Sequence, residues 1–264
     1  MWKNTCNFHT HTARCGHAVG EDEEYVKLAI EAGIKVLGFS DHVPWPDILQ
    51  PRIRMSPDLV ENYVKSLTFL KEKYKDQIEI HIGFEAEYIE EYMPYYEWMK
   101  VEYGIEYYII GQHGEFDDYH EPYFYNWYKD DKNMASRYVS QVIRGMETGL
   151  FAYVAHPDHF LNGYRKNDKF AENQIRQICE KSKELNIPLE LNLTYPRFAI
   201  MDGKVHDGED RYPFNKFWKI AGELGCPVVV GIDAHNPIDL MIDYTDFVKS
   251  FADRFNLNII DFTL

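Results

Sequence analysis

The segment Asn4-Thr5-Cys6-Asn7-Phe8-His9-Thr10-His11 begins as a short strand-like run and ends in two histidines one residue apart. Side chains alternate between faces in an extended chain, so His9 and His11 point to the same side. The same grammar recurs downstream. Short apolar runs at 36–40, 78–84, 107–111, 151–155, 189–193 and 228–232 read as strands. At their ends stand Ser40-Asp41-His42, Gly83-Phe84-Glu85, Gly111-Gln112-His113, His156-Pro157-Asp158, Glu190-Leu191-Asn192 and Asp233-Ala234-His235. Nearly every run thus delivers a histidine or a carboxylate at its C-terminal end.

Helical stripes lie between these runs. Val26, Ala29 and Ile30 share a face that Gly33 terminates, and Ser56-Pro57 starts a second stripe of Val60, Tyr63, Val64 and Leu67. Tyr138, Val142, Ile143 and Met146 form a third, Ile175, Ile178 and Cys179 a fourth, and Phe214, Phe217, Trp218, Ala221 and Leu224 a fifth. Strands alternating with helices predict a parallel sheet, either open or closed. No GxGxxG follows the first run, so a dinucleotide fold has no support. An open sheet would spread the polar strand ends along an edge, whereas a closed barrel gathers them at one mouth. The reading is therefore one α/β domain over 1–264, a distorted (β/α)7 TIM-like barrel, with 257–262 as a candidate extra strand.

The composition is that of a globular chain: 264 residues, 45% hydrophobic and 27% charged. With 28 Lys and Arg against 43 Asp and Glu, the net charge of -15 argues against nucleic-acid partners and anionic membranes. No apolar leader and no stretch of roughly 18 apolar residues is present, and the four cysteines form no CxxC pair, so a reducing cytoplasm is expected. Cys15 lies among histidines and is a minor ligand candidate. Oligomeric state is not fixed by any of these features.

Seven of the 11 histidines fall at strand ends or in adjoining loops. A single histidine there is more often structural, and one HxH pair is only a hint. Neither core packing nor a solvated surface calls for the whole set, which points to a polynuclear site for zinc, manganese or iron.

At this point the residues resemble the PHP (polymerase and histidinol phosphatase) superfamily, and especially its monofunctional histidinol-phosphate phosphatases. HTHTARCGHA, LGFSDH, GFEAEY, IIGQH, VAHPD and GIDAH occur in the family's order across essentially the whole chain. The resemblance implies three divalent metal ions. His9, His11, Glu85 and Asp233 would hold the first, Glu85 would bridge to a second completed by His113 and His156, and His17, His42 and His235 would hold the third. It implies hydrolysis of L-histidinol phosphate to L-histidinol and phosphate, in histidine biosynthesis, by attack of a metal-bridging hydroxide. The chain has neither a Cys-x5-Arg loop nor a DxDx(T/V) nucleophile, which agrees with direct water attack. Asp41 and Asp158, beside ligands, are candidate acceptors that orient an imidazole, with a purely structural role as the rival reading. Arg165 and Arg197, ranked above Arg14, are candidate phosphate contacts. The acidic loop at 114–121 could receive a cationic substrate through Glu115 and Asp117, or could simply be solvated.

Other readings remain. A PHP barrel could act on phosphotyrosine, a sugar phosphate or a nucleotide. Amidohydrolase barrels also open with HxH, but they place a bridging lysine where this chain has His113. A non-catalytic metal-bound domain is disfavoured because all nine expected ligands are present.

Overall fold

A computed structural model of the chain describes residues 3–116, 121–209 and 211–264. One curled sheet of eight parallel strands runs in chain order from edge to edge. The strands are β1 (Cys6–Asn7), β2 (Val36–His42), β3 (Glu79–Ala86), β4 (Tyr107–Ile110), β5 (Phe151–Val154), β6 (Leu189–Asn192), β7 (Pro227–Gly231) and β8 (Asn258–Ile259). The helices are α1 (Asp22–Glu31), α2 (Val60–Tyr74), α3 (Met93–Tyr103), α4 (Lys132–Glu147), α5 (Lys169–Leu185), α6 (Thr194–Met201), α7 (Asn215–Leu224) and α8 (Thr245–Phe255). A short antiparallel pair, Gly114–Phe116 with Pro122–Phe124, projects beyond β4.

The sheet closes at the C-terminal ends of its strands. Thr10 bridges to Ala234, the His11 amide donates to the Ala234 carbonyl at 2.9 Å, and the Ala234 amide donates to the His9 carbonyl at 3.1 Å. At the other end β7 pairs with β8, Asn258 opposite Pro227, and the barrel is split between β8 and β1. Phe262 packs there, edge-on to Phe8 at 5.2 Å and to Tyr153 at 5.5 Å. This is the distorted TIM-like barrel that the sequence predicts, with β8 as an eighth strand. Of the run at 257–262, only Asn258–Ile259 enters the ladder.

Alternation along the strands separates two cores. Tyr108 and Ile110 of β4 face outward into the large core under the helices. Tyr107 and Ile109 face inward and pack with Phe8, Tyr153, Ala155 and Val229 in the barrel itself. The Tyr107 ring crosses the interior over Gly38 and Gly83, and its hydroxyl donates to the Phe8 carbonyl at 2.8 Å. Above this apolar floor the inward positions become Glu85, Glu190 and Asp233. The next layer of the barrel is therefore polar, and it lies just under the closure.

A side chain at position 83 has no room, because its Cβ would collide with the Tyr107 ring and carbonyl. Gly83→Ala should cost about 1–3 kcal/mol by overpacking. Urea unfolding measures this; an unchanged midpoint would show that the crossing aromatic can give way.

Candidate metal centre

The closure brings all nine candidate ligands to one mouth. His9 and His11 follow β1, His17 comes from the next loop, His42 and Glu85 end β2 and β3, His113 follows β4, His156 follows β5, and Asp233 and His235 follow β7. His9 Nε2 lies 3.6 Å from Glu85 Oε2 and 3.5 Å from Asp233 Oδ1. His11 Nε2 lies 3.5 Å and 3.2 Å from the same two oxygens. These four atoms are buried and have no hydrogen-bond partner. Ligands about 2.1 Å from a tetrahedral ion would lie about 3.4 Å from one another. The set therefore fits an ion of the zinc, manganese or iron type, and the orphaned lone pairs call for a cation.

The other oxygen of Glu85 meets a second group: His156 Nε2 at 2.8 Å and His113 Nε2 at 3.5 Å. His42 Nδ1 approaches Glu85 Oε2 at 2.9 Å. His11, His42 and His235 offer nitrogens within 4.8 Å of one another. His17 is exposed at the rim, its ring 4.8 Å from that of His235 and 5.3 Å from that of His42. His42 thus stands between the second group and the third. Cys15 is buried near His17 and accepts from the Ala18 amide at 3.3 Å.

Backbone geometry and electrostatics agree with a functional site. His156 (φ 31°) and Asp233 (φ 54°) occupy the left-handed region that non-glycine residues avoid, a strain that the surrounding contacts must hold in place. Burial alone would raise the Glu85 carboxyl, but His113, His42 and His9 keep it well below the carboxylate range. Burial depresses His42 strongly and takes His235, helped by His11, down to about 3, which leaves their lone pairs free to bind. Burial also opposes charge on His11, yet Asp233 and Asp41 lift it to about 9.

The supporting candidates divide. Asp41 accepts from the Thr12 hydroxyl at 2.5 Å and from the His42 amide at 2.9 Å, and lies 3.6 Å from His11 Nδ1, where it braces the loop that carries His11. Asp158 accepts from the Phe214 amide at 2.6 Å and from the Trp218 indole at 3.3 Å, so it anchors the start of α7. Burial pushes its carboxyl up to about 7 against the Phe214 bond. Arg197 is buried, paired with Asp239 at 3.0 Å and bonded to the Asp233 carbonyl at 3.2 Å, so its guanidinium holds the strained Asp233 peptide. Arg165 is exposed, bonds the Asn162 carbonyl at 3.1 Å and stacks on Phe214. Arg14 pairs with Asp22 through both terminal nitrogens, at 2.7 and 2.9 Å. Glu115 is held inward by Tyr123, Arg137 and Gln141. Asp117 lies outside the described residues.

Three supporting residues carry no assigned role in the sequence reading. Glu190 reaches His9. Glu87, two positions beyond Glu85 on the same side, accepts both terminal nitrogens of buried Arg54 at 2.9 and 3.1 Å and stands 3.4 Å from His113 Nδ1. His159 packs between His113, His156 and Tyr212, with ring centroids 5.4–5.9 Å away. The strand alternation in GFEAEY and the polar end of β6 signal the two glutamates. His159 has no such signal, because it belongs to a 3-10 turn.

Known proteins are similar to this chain in sequence and in fold. The PHP domain family matches residues 7–194. A protein of Deinococcus radiodurans named probable histidinol-phosphatase is 26% identical over 94% of this chain and 93% of its own length. Two solved structures share the fold. A putative histidinol phosphatase of Listeria monocytogenes has a TM-score of 0.69 at 20% identity, covering 92% of this chain and 99% of that one. A histidinol phosphate phosphatase of Lactococcus lactis, complexed with zinc, L-histidinol and phosphate, has a TM-score of 0.70 at 15% identity, covering 97% and 95%.

Zinc or manganese added to metal-stripped protein should raise its unfolding temperature, since an ion at about 1,000 times its dissociation constant contributes about 4 kcal/mol. His11→Ala should lose most of that rise. A wild-type midpoint that ignores both ions would contradict the centre.

Proposed function

The chain belongs to the PHP family, and from that membership we propose that it is a metal-dependent phosphomonoesterase hydrolysing L-histidinol phosphate to L-histidinol and phosphate. The observation that carries this reading is the cluster of buried, unpartnered lone pairs at the barrel mouth, spaced for a divalent cation. Relatives named for the same activity, matched over nearly their whole length, support the substrate.

The centre takes three divalent ions, zinc, manganese or iron. His9, His11, Glu85 and Asp233 hold the first, Glu85, His113 and His156 the second, and His17, His42 and His235 the third. Bound there, such ions supply Lewis acidity toward a phosphoryl oxygen and toward water. The protein's own contribution is order. Asp41 sets the His11 loop, Glu87 with Arg54 sets His113, and Arg197 with Asp239 fixes the Asp233 peptide. Thr194 and Asn192 donate to Asp233 Oδ2 at 2.8 and 3.2 Å, which turns Oδ1 into the centre. Tyr212, His159 and Tyr195 form an aromatic wall beside His156, where a substrate's organic portion would lie.

Asp158 takes the structural role, anchoring the start of α7, and Arg165 and Arg197, from the loops after β5 and β6, are the candidates for phosphate contact. The inward commitment of Glu115 favours a second reading, another small phosphate ester on the same centre, because it removes one anion from substrate recognition. The working compartment is the cytoplasm. Among the described residues no helix is long and apolar enough to cross a membrane.

Phosphate release from histidinol phosphate, phosphotyrosine, sugar phosphates and nucleotides, assayed with manganese-loaded protein, tests both readings. Histidinol phosphate should lead in kcat/KM by roughly tenfold or more. A different leader transfers the assignment to that ester, and no release from any of them ends the phosphatase reading.

A further inference from the structure

Glu190 is fully buried beneath the centre and belongs to none of the donor groups found among the described residues. Its Oε1 lies 2.8 Å from His9 Nδ1. Its Oε2 accepts from the His156 amide at 3.1 Å and from Asn192 Nδ2 at 2.9 Å. The Asn192 amide donates onward to Asp233 Oδ2 at 3.2 Å. One carboxylate on β6 therefore touches the ligand-bearing ends of β1 and β5, and β7 through one intermediary. The next strand makes room for it, since a Cβ at Gly231 would occupy the position of Glu190 Oε1.

We propose that Glu190 is a positioning residue for the first ion: it accepts the His9 Nδ1 proton, fixes that tautomer and aims the Nε2 lone pair between Glu85 and Asp233. The inference rests on the reading that His9, His11, Glu85 and Asp233 hold a divalent ion. A neutral imidazole carries its proton on one nitrogen and its lone pair on the other, so the acceptor at Nδ1 decides which nitrogen can ligate. An ionised acceptor also makes the opposite nitrogen a better donor. Glu190 further restrains the left-handed peptide at His156, so its loss reaches two ligands at once.

Glu190→Gln removes the charge and sets an NH2 group against at least one donor among His9, the His156 amide and Asn192. Chelator competition with zinc should show one ion per chain weakened about 10- to 100-fold. In a His9→Gln background the same substitution should cost little further affinity, because its partner is already gone. Unchanged zinc affinity in Glu190→Gln, or an equal loss in the His9→Gln background, would overturn the proposal. If the variant does not fold, nitrogen-15 spectra of zinc-loaded wild type decide: His9 should carry its proton on Nδ1, and ligation through Nδ1 overturns the assignment. Zinc is read without substrate, so a chain that binds zinc but releases no phosphate would sink the phosphatase reading and leave this one standing.

Discussion

A carboxylate taken out of water keeps its charge only where cations or donors surround it. Glu85 sits at 1% exposure in the upper layer of the barrel, and five histidine rings stand 2.8–3.6 Å from its oxygens. Those rings arrive from four different strand ends, so the charge can be met only when the sheet has curled shut. The closing bonds, just beyond β1 and β7, involve the backbone of His9, His11 and Ala234, next to the candidate ligand side chains themselves. The site is therefore complete only in the closed barrel. The strained backbone of His156 and Asp233 is held in the same closed arrangement, by Glu190 at the His156 amide and Arg197 at the Asp233 carbonyl.

Charge is distributed accordingly. The net charge of -15 is not confined to the surface. Asp41, Glu85, Glu87, Glu115, Asp158, Glu190, Asp233 and Asp239 are buried, whereas the buried basic side chains among the described residues are Arg54 and Arg197. Each arginine is committed, Arg54 to Glu87 and Arg197 to Asp239. The carboxylates of the centre consequently face imidazoles and neutral donors alone. Bound divalent ions would reverse the sign of that interior, and the bound ion dominates the local field. An acidic chain can in this way accept a small phosphate ester.

Much of this was legible in the sequence because strand periodicity and ligand chemistry coincide. His9, His11, Glu85 and Asp233 stand at the ends of apolar runs, and one rule, convergence at a barrel mouth, assembles them. Arg197 shows where that rule stops. Its place after β6 is compatible with a phosphate contact, but only three-dimensional packing reveals Asp239 beside it. Glu115 is similar, since three donors from the hairpin and α4 claim it. α3 escaped the helical stripes for another reason. Its tyrosines are apolar in the ring and polar at the tip, so the period is blurred; Tyr96 is buried and its hydroxyl donates to the Glu87 carbonyl at 3.2 Å. α6 starts two residues after β6 ends, with no turn residue to announce it.

Glu85 and Glu190 show why residue type alone cannot assign a role. Both point inward near the end of a strand, and both need a glycine on the following strand or just beyond it, Gly111 for Glu85 and Gly231 for Glu190. Their neighbours differ. Glu85 is met by Nε2 atoms of His9, His11, His113 and His156 and by Nδ1 of His42, and its Oε2 makes no hydrogen bond. Glu190 is met by a ring nitrogen whose opposite face is already committed to the centre, by a peptide N–H and by a side-chain amide. A carboxylate among lone pairs stays ionised at low cost only with a cation between them, whereas one among hydrogens is satisfied as it stands. The same residue in the same register would thus serve as a ligand or as a brace according to which end of an imidazole faces it. His9, whose two nitrogens face the two glutamates, joins these environments.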